Sequence, residues 1–347
     1  MTSPAPIPVP RPKSPWRSTW LHFGLLVLAL LGAWLSFERP FAAEPSGATE
    51  GVVVVRAAEG EVERLVHEHG DRRLEVEARE DDLGRWFMGR EGTDTVFVGG
   101  RQVETVWREL EPLRAVRVLE GVDGTKLEEL GLAGGESPPE RLHLTVRGRE
   151  VRYRLGGRPF GGADRYARRE GGPDGESDAG GTVLVLPSEV ALGLGGGADL
   201  LMERRLLASS RPDVEAMSLR RPGAGGSEPL RIVQRTGAGV SGPPGADAYW
   251  TVSGSDEADP DVATWVDKFF RLSVAAYRSG EPAADWRPEA SITVESREHG
   301  ASTVEIWSAP AEEDRVWLAR SPFTRLVVEL SASLAEEVCA DLDGLLR

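Results

Sequence analysis

The uncharged run from Trp20 to Phe37, WLHFGLLVLALLGAWLSF, limits what this chain can fold into more than any other stretch. As a helix rising 1.5 Å per residue it spans roughly 27 Å, close to the thickness of a hydrocarbon core. A helix satisfies its own backbone amides, which lipid cannot do. Trp20 and Trp34 stand near the two ends, where amphipathic rings favour the headgroup region. Arg11, Lys13 and Arg17 precede the run, and only the pair Glu38–Arg39 follows it closely. That asymmetry predicts a short cytoplasmic tail (1–19), a transmembrane helix (20–37) held by membrane lipid, a tether (38–50) and a body outside the cytoplasm. Cleavage as a signal peptide is the competing reading. It is disfavoured because the best small-residue site, after Ala43, has bulky Phe41 at the minus-three position.

Charge narrows the partners. The formal net charge is −15, and because residues 1–37 hold three cations and no acid, the remainder carries −18 (−15 less +3). So acidic a body repels phosphate backbones, which argues against nucleic acid. Cys339 is the single cysteine, which excludes an internal disulfide and any multi-cysteine metal site. Asn is absent, so there is no Asn-linked glycosylation site.

Beyond the tether the chain reads as a diverged duplication. Val103, Val106, Trp107, Leu110 and Leu113 form one helical stripe. Val262, Trp265, Val266, Phe269 and Leu272 repeat it, each displaced by the same number of positions. Asp259-Pro260 supplies an N-cap and a first-turn proline for the second helix, and Gly99-Gly100 opens the first. Trp86 precedes one helix and Trp250 the other; Pro139-Glu140 and Pro288-Glu289 follow them. Leu142, Leu144 and Val146, like Ile292 and Val294, alternate with polar residues as a one-sided strand does. Gly148 and Gly300 mark hairpin turns, with Val151, Tyr153 and Leu155, or Val304 and Ile306, returning. Val183–Leu186 and Leu326–Leu330 lead into further helix starts.

The expected architecture is α+β: two repeats (51–208 and 209–347), each an antiparallel sheet packed on an amphipathic helix. Val52–Val55 and Val62–Val66 add strands before the first core. Gly161–Gly181 and Gly223–Gly245, rich in Gly, Pro and acids, read as long surface loops.

The order Phe37-Glu38-Arg39-Pro40, Trp86, the Val103–Leu113 helix, Leu130-Gly131-Leu132, Pro138-Pro139 and the Leu142–Leu155 hairpin resembles the bacterial domain-of-unknown-function family 4340. Tyr166-Ala167-Arg168 and Val183–Pro187 fit its later strands. The resemblance implies a single-pass inner-membrane protein with its bulk in the periplasm. It further implies an accessory or interaction subunit near an ABC transporter or a gliding-motility-like envelope assembly. It supplies no catalytic residue.

Local chemistry is sparse. His67-Glu68-His69 puts two imidazoles on one strand face, but two ligands are too few for a metal, and the charge alternation of Val62–Gly70 reads as a solvated strand. His143 and His299 have no local partner. Asp256, Glu257, Asp259 and Asp261 lack the spacing of a calcium loop and suit helix capping. Gly193–Gly197 lacks the Gly-Lys-Ser/Thr of a phosphate loop and reads as a turn between helices. Cys339, Trp107 and Trp265 read as core. No catalytic, cofactor-binding or metal residue is assigned, and the chain reads as a non-enzyme. Two other readings stay open: an anchored hydrolase assembled from His67, His69, His143 and distant Ser or Asp residues, or a spacer holding another protein off the bilayer.

Overall fold

The computed structural model describes residues 51–133, 138–171, 181–223, 228–236, 248–310 and 315–346. The tail, the apolar run and the tether expected over 1–50 lie outside these residues. Among the described residues no helix is long and apolar enough to cross a membrane.

The fold is mixed α+β and its sheets are antiparallel, as the alternating patterns require. Strands β1 (Val52–Val55), β2 (Val62–His69), β3 (Arg72–Asp81), β4 (Gly84–Glu91) and β5 (Thr95–Val98) lead to helix α1 (Arg101–Leu110). Short β6 (Leu113–Ala115), β7 (Arg117–Leu119) and α2 (Gly124–Glu129) follow. A run of β8 (Glu140–Val146), β9 (Arg149–Leu155), β10 (Arg165–Glu170) and β11 (Val183–Leu186) then enters α3 (Ser188–Gly195) and α4 (Gly197–Leu201). The second part opens with β12 (Val214–Arg220), β13 (Leu230–Thr236), β14 (Ala248–Val252), α5 (Pro260–Arg271) and β15 (Val274–Arg278). It closes with β16 (Arg287–Ser296), β17 (Gly300–Ala309), β18 (Val316–Arg320), β19 (Val327–Leu330) and α6 (Ala332–Leu345).

Nine strands pair in the order β5-β4-β3-β2-β8-β9-β10-β11-β7, and eight in the order β14-β13-β12-β16-β17-β18-β19-β15. With the extra edge strand β5 set aside, the two sheets have one and the same order. In each, a three-strand meander leads through a helix to a strand on the far edge. A second meander of four strands then fills the gap between. β1 stands apart and pairs only with β6.

The helices bury the stripes read from the sequence. Val103, Val106, Trp107 and Leu110 are buried on α1, and Val262, Trp265, Val266 and Phe269 on α5. The fifth position departs from the expectation: α1 ends at Leu110, before Pro112, and Leu113 reaches the core from β6 instead. Leu272 likewise caps α5 rather than continuing it. Asp259 caps α5 as expected, its Oδ1 accepting from the N–H groups of Asp261 and Val262 at 3.0 and 3.1 Å. At Gly100 a Cβ would meet the Glu203 backbone at 3.0 Å, a tight approach that favours glycine at the start of α1.

Trp107 donates Nε1–H to the Val62 carbonyl and Trp265 to the Val338 carbonyl, so both indoles are buried without an orphaned donor. One continuous apolar cluster runs through residues of both sheets, and a satellite of Val122, Leu127, Leu132 and Val183 sits under α2. The segments expected as long loops are partly sheet. β10 lies within Gly161–Gly181 and β13 within Gly223–Gly245, because Tyr166-Ala167 and Leu230-Arg231-Ile232-Val233 carry strand patterns inside glycine-rich surroundings.

Candidate functional site

His67 and His69 do share a face of β2, and both meet one carboxylate. The Glu140 side chain lies 2.9 Å from His67 Nε2 and 3.5 Å from His69 Nδ1, and the Arg165 guanidinium donates to its second oxygen. Contrary to the expected solvated strand, His67 is only 1% exposed, because its side chain stands opposite Leu142 on the core face. The charge alternation misled because the alternate residues face opposite sides of the sheet. Burial raises the Glu140 carboxyl, but the His67 hydrogen bond and the Arg165 charge outweigh it and hold it down at about 2. Glu140 is therefore a carboxylate fully engaged by its neighbours. His67 Nδ1, on the other side of the ring, is buried without a hydrogen-bond partner. Among the described residues no group of three or more His, Cys, Asp or Glu side chains is placed to hold a metal ion.

The other sequence candidates are dispersed. His143 faces the opposite side of the sheet, with Nδ1 3.1 Å from Glu150. Asp256 lies 3.5 Å from Arg235 while Asp259 caps α5, so the acidic stretch is drawn into separate local contacts. Gly193–Gly197 forms the junction of α3 and α4. Gly193 gives room to Val106, and Gly197, at φ +68°, places the Ala198 N–H to donate to the Glu91 carboxylate at 2.7 Å. The chain's own Glu91 thus occupies the place where a phosphate would sit. Cys339 is buried in α6, and burial pushes its thiol up to about 12.

A cleft that the sequence did not reveal lies where the two sheets meet. Its volume is about 330 Å³, and it is lined by Trp86, Phe87, Glu203, Ser209, His299 and Phe323, with Leu83 at its edge. Residues 202–210 form one wall and are fastened to both sides. Gly100 N–H donates to the Leu201 carbonyl and Glu203 N–H to that of Val98. On the other side the Tyr277 hydroxyl donates to the Glu203 carbonyl and Ser321 Oγ to that of Leu206.

Three of the ionic groups around the cleft, Glu203, Arg205 and Arg325, are paired. Glu203 accepts from the backbone N–H groups of Arg204 and Arg205 and from the Arg205 guanidinium. Burial raises its carboxyl, but those donors outweigh burial and keep it below the ordinary carboxylate range. Arg325 binds Asp81 and lies 4.9 Å over the Trp86 ring, while Arg205 lies 5.2 Å over Phe323. Ser209 Oγ donates to Ser296 Oγ, and the exposed His299 ring makes no hydrogen bond among the described residues. The arrangement offers aromatic and apolar surface next to fixed charges.

No family model, curated protein or solved structure matches this chain.

Proposed function

We propose that the chain is a single-pass bacterial inner-membrane protein whose duplicated periplasmic body is an interaction subunit of a transporter-linked or other envelope assembly. The uncharged run Trp20–Phe37 is its membrane anchor, with the N-terminal tail in the cytoplasm. The common strand order of the two sheets supports descent of both from one unit. Equivalent ladder positions support it too. Leu142 stands opposite His67 and Ile292 opposite Leu219, and each sheet holds an arginine-paired glutamate near the start of the matching strand, Glu140 on β8 and Glu289 on β16. The likeness of the segment order to family 4340 belongs to this proposal.

The observation that carries the interaction role is the cleft, where Trp86 and Phe323 lie beneath arginines already paired with the protein's own carboxylates. Such a surface recognises a partner by contact area. A photo-crosslinking amino acid in place of Leu83, which is exposed at the cleft edge, tests it in native membranes. The expected result is one reproducible adduct with a transporter or envelope protein that is absent when the label is at Glu336, exposed on α6 away from the cleft. Failure to recover any adduct across detergents counts against the reading. A C-terminus resistant to protease added to spheroplasts would remove the proposed topology.

A further inference from the structure

One end of the nine-stranded sheet gathers exposed apolar side chains together with cations. Val52 is 55% exposed, Val53 36%, Val116 49%, and Phe160 is fully exposed. These residues lie apart in sequence, and the ladder registers bring them to one end. Val52 stands opposite Ala115, the neighbour of Val116. Val116 N–H donates to the Val185 carbonyl, and Leu186 stands opposite Arg165, at the close of the loop that holds Phe160. From β10 to β7 is two strand spacings, roughly 10 Å. Arg114, opposite Val53, together with Arg117 and Arg158, rims the same end and is exposed. Two carboxylates lie at the same end against these three arginines, Asp164 accepting from the Ser188 N–H and Glu189 from the Ser188 hydroxyl.

We infer that this end of the sheet is seated on an anionic lipid surface, the outer leaflet of the bilayer that residues 20–37 span. The inference rests on the anchor reading above. Three observations choose lipid as the occupant. The body begins here, at Val52, so the 38–50 linker delivers this end to the bilayer first, within a reach of roughly 45 Å. A fully exposed phenylalanine beside valines and arginines is the composition that partitions into a headgroup layer. And in a body this acidic, anionic lipid repels most faces, so a cationic apolar rim sets which face turns toward it.

The test uses the full chain, with Cys339→Ala, reconstituted in vesicles containing phosphatidylglycerol. An environment-sensitive fluorophore is attached at Phe160→Cys or, for comparison, at Glu298→Cys in the turn between β16 and β17. Lipids carrying a nitroxide near the headgroup should quench the probe at 160 at least about threefold more than at 298. Arg117→Glu with Arg158→Glu, or phosphatidylcholine alone, should reduce that difference. Equal quenching at both sites, in protein that resists carbonate extraction, overturns the seating while leaving the anchor intact. A probe at 160 shielded from aqueous iodide but untouched by lipid quencher means a protein neighbour covers the patch, and also overturns it. Release by carbonate removes the anchor and the inference together.

Discussion

Arg325 and Asp81, 244 positions apart, close a two-pronged ion pair across the junction of the sheets, with Nε–Oδ2 at 2.6 Å and Nη2–Oδ1 at 3.1 Å. The Arg325 backbone is held at φ +58°, and its guanidinium covers Trp86 at the mouth of the cleft. One side chain therefore ties the halves together and shapes the wall between them. Arg325→Ala should lower stability by about 1–2 kcal/mol, combining a charged hydrogen bond with a cation–π contact. Asp81→Asn should lower it less, and the double variant should show coupling between the two. Denaturant titration of the four proteins measures this, and strict additivity would mean that the pair does not stabilise the junction.

Glu140 links stability to acid. Its folded carboxyl sits at about 2, below its ordinary value of 4.5, so its contribution is complete above the unfolded value and is lost as pH falls from about 4.5 toward 2. The loss is on the order of 3 kcal/mol. Glu140→Gln should flatten that part of the stability profile and leave the region above pH 6 with a constant offset. An unchanged acid limb in the variant would mean that other carboxylates govern it.

His67 fills a core position at which the second sheet has Leu219. Leucine removes the orphaned Nδ1 and adds apolar contact, but takes one hydrogen bond from Glu140, which keeps Arg165. These effects oppose each other, so His67→Leu should change the folding free energy by less than about 1 kcal/mol. Thermal and denaturant unfolding check this. A large loss would show that the imidazole holds the sheet together.

Trp265 is buried, stacks on Phe269 with centroids 5.5 Å apart and donates to the Val338 carbonyl of α6. Trp265→Ala should cost about 3–5 kcal/mol through the cavity and the lost partner. Trp265→Phe should cost clearly less, because it restores most of the volume and leaves one carbonyl unpaired. Equal losses would place the energy in the hydrogen bond.

The stripes on α1 and α5, the β8–β9 and β16–β17 hairpins and the Asp259 cap were legible because each rests on local periodicity or a local side-chain bond. β13 was hidden by composition, and β10 was signalled only by the family resemblance: glycine and proline around a short strand read as loop until a neighbouring strand supplies its ladder. His67 was misplaced because charge alternation does not say which face is covered. The cleft had no signature at all, since Trp86, Glu203, His299 and Phe323 come from four separate segments joined only by tertiary contact.

The separate pairing of β1 with β6 has a mechanical meaning. The first strand of the body belongs to a two-stranded ribbon and shares no ladder with the nine-stranded sheet. Tension drawn through the N-terminal side of the body would peel that ribbon apart first, at a handful of inter-strand hydrogen bonds. Only after that would the load reach β2 and the nine-stranded sheet, and the torn strand could zip back once the strain eased.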